Sequence, residues 1–172
     1  MKYFIDMTLA FFIDCFIAFT VVMLIIQWSI LSHLRDSIGI TDIWFQNSIN
    51  MQLYVLTSIS IPVWMYFAYF DSEKSKGTFG KRIFKLEVRD NKNQKISFGK
   101  SLLRTISKLL PWEIAHIGVI FPTPIYYENE PAVRILSYVG LLLFTIYVIS
   151  IWTDSRKQTI YDKVIGTVVS KI

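Results

Sequence analysis

The sequence predicts an all-α membrane protein: a four-helix transmembrane bundle with an amphipathic interfacial helix and a small cytoplasmic β element. Three observations predict it. The first is a set of long runs almost free of charge: residues 7–28 hold only Asp14, and residues 51–70 and 135–152 hold none. A helix needs about 20 apolar residues to cross about 30 Å of hydrocarbon. The second is composition, 53% apolar and 16% aromatic with only 18% charged, which excludes a solvated, charge-rich domain. The third is charge placement. Of 18 Lys and Arg, nine lie between Lys74 and Lys100, Arg104 and Lys108 follow, and four more stand in the tail. Residues 29–50 carry Arg35 as their only Lys or Arg, and residues 122–132 carry Glu128 and Glu130 with no base. Basic loops stay on the cytoplasmic side. Both ends and the central loop are therefore expected in the cytoplasm, with the chain crossing the membrane several times.

The elements follow in order as one domain, residues 1–172. Span 1 covers about 7–28; it is longer than a signal-peptide core and no small-residue cleavage site follows, so it is read as retained. Its Cys15 is the sole cysteine, so no internal disulfide forms. Span 2 covers 51–70. Pro62 cannot donate to the carbonyl of Ser58 and should kink the helix, with Thr57, Ser58 and Ser60 at hand to satisfy the freed groups. Aromatics from Trp64 to Phe70 suit an interfacial belt.

The cytoplasmic loop 71–108 alternates Leu86 and Val88 with Lys85, Glu87 and Arg89, a strand period. "ISF" (96–98) reads as a second short strand and "VIGTVVSKI" (164–172) as a third. In "SLLRTISKLLPWEIAHIGVIF" the leucines and Ile106 share one helical face while Arg104 and Lys108 share another. This reads as an amphipathic helix at the inner surface. It leads into a third crossing, 109–121 or longer and tilted, with both bases snorkelling to the cytoplasm. Span 4 covers 133–152, with Pro131 suited to its first turn. The tail runs 153–172.

Asp14 is the first candidate site. A charge near mid-span is costly to insert, so it must face the protein interior and find a partner. Ala10 and Ala18, four residues to either side, let another helix come close. Either an ion, proton or ligand site or a carboxylate tying helices together fits. Glu113 and His116 share a helix face at i, i+3, the spacing of bundle metal sites. With Asp14 they form a candidate metal or proton set; a mutual hydrogen bond is the plainer reading. "GTFGKR" is not a phosphate loop: the glycine spacing is wrong, Arg82 replaces the Ser or Thr after Lys81, and no helix opening is evident. The residues give no nucleophilic triad, so neither an enzyme nor a cofactor is expected. The net charge of +5 is assigned to a face against anionic lipid, not to nucleic acid.

Three blocks resemble the RDD family of membrane proteins. "LAFFIDCFIAF" resembles its first span, with Asp14 at the first aspartate. "GTFGKRIFKLEVRDNKNQKISFGKSLLRTISKLL" resembles its second block, giving Gly77, Thr78, Gly80, Lys81 and Arg82 as motif residues. "DSRKQTIYDKVIGTVV" resembles its closing block, with Asp162 at the second aspartate and Gly166 and Thr167 after it. The family's arginine falls at Met7 here, so Asp14 needs another partner; Arg104, Lys108 and His116 are the candidates. Asp162 is expected in exposed ion pairs that anchor the tail. The resemblance implies a polytopic inner-membrane protein and suggests a transport-related role. Ion or small-ligand transport through buried polar groups is the first functional reading. A regulatory or partner-binding subunit using the basic face is the alternative. One chain this short makes a narrow bundle, so a wide pathway would need a homo-oligomer or a membrane-protein partner.

Overall fold

A computed structural model describes residues 2–129 and 133–172; the expectations for Glu130 and Pro131 lie outside them. The chain is mostly helical. Helix α1 (Lys2–Val21) continues as a π-helical stretch, Val22–Leu31, and ends in the short α2 (Ser32–Leu34). After α3 (Asp42–Phe45), helix α4 (Ser48–Val55) runs through a second π-helical stretch, Leu56–Ser60, into α5 (Ile61–Phe70). Then come α6 (Phe79–Ile83), β1 (Leu86–Asp90), α7 (Phe98–Ile120), α8 (Ile135–Thr153), α9 (Ile160–Ile165) and β2 (Thr167–Lys171). Among the described residues, three helical stretches are long and apolar enough to cross a membrane: Tyr3–Leu34, Ser48–Phe70 and Ile135–Thr153. α7 has the length, 23 residues, but carries Lys100, Arg104, Lys108 and Glu113.

The contacts divide the chain into two compact units. Unit 1 holds residues 1–19, 63–108 and 145–172; unit 2 holds 20–62 and 109–144. In unit 1 the tail strand is present as expected. β1 and β2 pair antiparallel, with Val88 opposite Val169. "ISF" is not a strand; a single bridge joins Lys95 to Arg89, and Ile96 is buried. The segment "GTFGKR", in which the sequence showed no helix opening, opens α6, with Thr78 at its N-cap. The aromatic belt is only partly one. Tyr69 is exposed, while Phe67 is 1% exposed and stacks on Phe11.

Two prolines sit inside long helices, and each carbonyl they strand is met by a side chain from another helix. Pro62 leaves the Ser58 carbonyl without its intrahelical donor. Gln27 Nε2 donates to that oxygen at 3.3 Å and to Ser58 Oγ at 2.7 Å, while Tyr54 Oη donates to Gln27 Oε1 at 2.5 Å. The helix absorbs the proline through the π-helical turn Leu56–Ser60. The serines and threonine expected to serve that oxygen donate elsewhere: Thr57 to Leu53 O and Ser58 to Tyr54 O, Ser60 to Glu113. Pro111 likewise strands the Ser107 carbonyl, and Tyr147 Oη donates to it at 3.0 Å. α7 is therefore continuous through Pro111, so the amphipathic stretch and the segment that follows it form one helix.

Candidate functional site

Asp14 lies on a buried stripe of α1. Asp6, Ala10, Asp14 and Ala18 recur every fourth residue and are each 8% exposed or less, which places them along one helix face. At Asp14 the carboxylate is fully buried and accepts three donors. Thr78 Oγ1 donates to one oxygen at 2.5 Å. The Gly80 amide donates to the other at 2.7 Å, as does Tyr66 Oη at 3.3 Å. The donors are hydroxyls and an amide, not the cations the sequence put forward. Gly80 is required by close approach: a Cβ there would sit 2.3 Å from the Ala10 carbonyl oxygen. The "GTFG" block is thus laid directly against the first span. Thr78 caps nothing in its own helix, because its hydroxyl is committed to Asp14.

The cations expected near Asp14 belong to a second, adjoining cluster in the same unit. Lys81 Nζ donates to Asp71 at 2.5 Å. Arg104 Nη1 donates to the other Asp71 oxygen at 3.1 Å, and its Nε and Nη2 reach both oxygens of Asp162 at 2.7 and 3.3 Å. Asp162 also accepts from Thr167 Oγ1 at 2.6 Å and Thr159 Oγ1 at 2.8 Å. Asp71, Lys81, Arg104 and Asp162 are each 8% exposed or less, so two carboxylates are balanced by two cations away from water. Burial alone would raise the Asp71 carboxyl; the charges of Lys81, Lys108 and Arg104 outweigh it and hold the group below the usual carboxylate range.

Several expectations change here. Asp162 is not an exposed tail anchor but 3% exposed, which makes its pairing with Arg104 far more consequential than a surface ion pair. Arg104 and Lys108 do not snorkel outward. The polar side of α7 is turned inward, with Ser101, Arg104 and Thr105 at 2% exposure or less. Lys108 Nζ stands 3.3 Å from the centroid of the Phe67 ring and 5.6 Å from that of Phe11, a cation–π contact. Lys81 is buried, whereas Arg82 is exposed and donates to the Gly77 carbonyl at 2.7 Å. Gly77 and Gly166 hold φ of 99° and 71°, which a side chain resists. Gly166 ends α9, and its carbonyl accepts from Lys100 Nζ at 3.0 Å.

Glu113 and His116 are placed in unit 2. Ser60 Oγ donates to Glu113 Oε2 at 3.0 Å, and His116 Nδ1 stands 3.9 Å from the same oxygen, outside hydrogen-bond range. Among the described residues no group of three or more His, Cys, Asp or Glu side chains is placed to hold a metal ion. Sequence reasoning missed Asp71, the hinge of the acid–base cluster. Its only signal was position, as the first charge after an apolar run of twenty residues.

A family model described as "RDD family" matches residues 8–166, nearly the whole chain. The match begins one residue after Met7, where the family's arginine was expected. No curated protein and no solved structure matches the chain.

Proposed function

This chain belongs to the RDD family, and from that premise we propose that it is a multi-pass protein of the bacterial cell membrane whose buried acid–base network handles protons or small cations in a transport-related role. One observation carries the reading. Asp14, Asp71 and Asp162 are all 4% exposed or less within one unit. Taking an ion out of water costs several kcal/mol even after relaxation, and well-packed apolar residues would often serve stability better. An ionisable group inside a membrane span defaults to a working role, and of these three Asp14 lies inside one. Asp14 is the acceptor best suited to exchange, since its donors among the described residues are two hydroxyls and an amide. Glu113, with Ser60 and His116, is a second polar station.

The membrane arrangement is supported by three ties in unit 1. Tyr3 Oη donates to the Val169 carbonyl, Lys171 pairs with Asp6 at 3.0 Å, and β2 pairs with β1. Residues 3–6, 86–90 and 167–171 then share one side, which demands an even number of crossings. Three stretches qualify by length and apolarity, and α7 supplies the fourth, its charged side sheltered by protein. The basic loop assigns that shared side to the cytoplasm.

Purified protein in liposomes should collapse an imposed pH or cation gradient, and Asp14→Asn should abolish the collapse. A gradient that survives the wild-type protein under every cation tried overturns this reading. The exposure of Lys74, Lys76, Lys85, Lys92 and Lys95 favours a second reading, a non-transporting subunit that docks an acidic partner. In that case charge reversal at Lys85 and Lys92 should release a co-purifying protein.

A further inference from the structure

The two short helices α6 and α9 carry the same pattern. "TFGKRI" and "TIYDKV" each open on an N-cap threonine. In each, the third helical residue is charged and turned into the buried network: Lys81 onto Asp71, Asp162 onto Arg104. In each, the first and fifth residues are apolar, lie on the opposite helix face and are exposed. Phe79 and Ile83 are 56% and 53% exposed; Ile160 and Val164 are 41% and 81% exposed. A base stands between each pair: Arg82 is exposed, and Lys163 keeps a side chain 49% exposed while reaching Asp154.

We propose that α6 and α9 are twin interfacial anchors that dip their apolar pairs into the cytoplasmic leaflet and set Arg82 and Lys163 against anionic lipid headgroups. The proposal deepens the membrane reading above and rests on it. Two features of unit 1 favour lipid over a protein occupant. The outward faces are continuous in kind with exposed apolar side chains at the ends of the neighbouring spans, Trp152 at 67% and Tyr69 at 47%, the aromatic signature of an interface. Each apolar pair also comes with its own base, the arrangement by which a helix lies in the headgroup boundary of an anionic membrane. The buried charge at the third position gives each anchor a fixed rotation, so its apolar face cannot roll toward water without breaking an ion pair.

The sole cysteine makes the test direct. In a Cys15→Ala background, nitroxide labels are placed singly through Phe79→Cys, Val164→Cys, Phe12→Cys in the first span, and Lys92→Cys in the β1 turn. Vesicles of phosphatidylcholine with and without phosphatidylglycerol are compared. Collision with oxygen relative to a water-soluble nickel chelate should be several-fold higher at positions 79 and 164 than at 92. Arg82→Gln with Lys163→Gln should lower it only when phosphatidylglycerol is present. Chelate accessibility at 79 and 164 equal to that at 92 overturns the proposal, as does exclusion of both collision partners, the result for a face covered by protein or a second copy. If the label at position 12 also meets chelate freely, the membrane reading itself fails. If position 12 is in lipid while 79 and 164 are in water, only the anchors fail.

Discussion

At the scale of single residues, Asp14 announced itself in the sequence because it is the one charge in a long apolar run. Its partners did not. Donors that are hydroxyls and an amide, 52 to 66 positions away, leave no charge signature to read, so a cation was the natural but wrong expectation. Gly80→Ala should be among the most damaging single changes, since its new methyl meets backbone at 2.3 Å. Overpacking of this kind costs about 1–3 kcal/mol, to be read as a fall in the midpoint of thermal unfolding in detergent. Asp71→Asn should cost about 3–5 kcal/mol by leaving Lys81 and Arg104 short of charge in a buried place. Acid should act in the same direction. The Asp71 carboxyl is held below its ordinary value, so its stabilisation is fully present above that ordinary value and is lost as pH falls through the lowered one. Unfolding midpoints measured down a pH series should therefore fall more steeply for the wild type than for Asp71→Asn.

At the scale of elements, spans were legible where charge was absent, and α7 was not, because its bases looked solvent-bound until Asp71 and Asp162 were seen to claim Arg104. Periodicity tells which residues share a face; it does not tell which way the polar face turns. Prolines were legible as faults in a helix but not their repair. The Ser58 and Ser107 carbonyls are served by Gln27 and Tyr147, one from an earlier helix and one from a later. Tyr147→Phe should cost about 1 kcal/mol in the wild type, the worth of an ordinary hydrogen bond. In a Pro111→Ala background, where the helix supplies its own amide, the same change should be nearly neutral. Four unfolding measurements make the cycle, and the coupling between the two sites is the quantity to read. Gln27→Leu with Pro62→Ala should behave alike.

At the scale of the whole molecule, composition was enough to predict helices apolar enough to cross a membrane, and the motif blocks were enough to predict the family. How the blocks meet was hidden, because no two of them are neighbours in sequence. Cysteines introduced at Asn93 and Ile172 in the Cys15→Ala background should react from the same side of sealed vesicles, with Ile43→Cys reacting from the other. The wide spacing of the network also dictates an order of events. While the chain is still being made, Arg104 emerges after Asp71 but well before Asp162, and α8 separates them. A nascent chain must therefore thread every apolar stretch before its guanidinium acquires a second counter-charge. A chain cut after residue 155 would keep Asp71 as the counter-charge of Arg104 but would lack both Asp162 and the strand that pairs with β1.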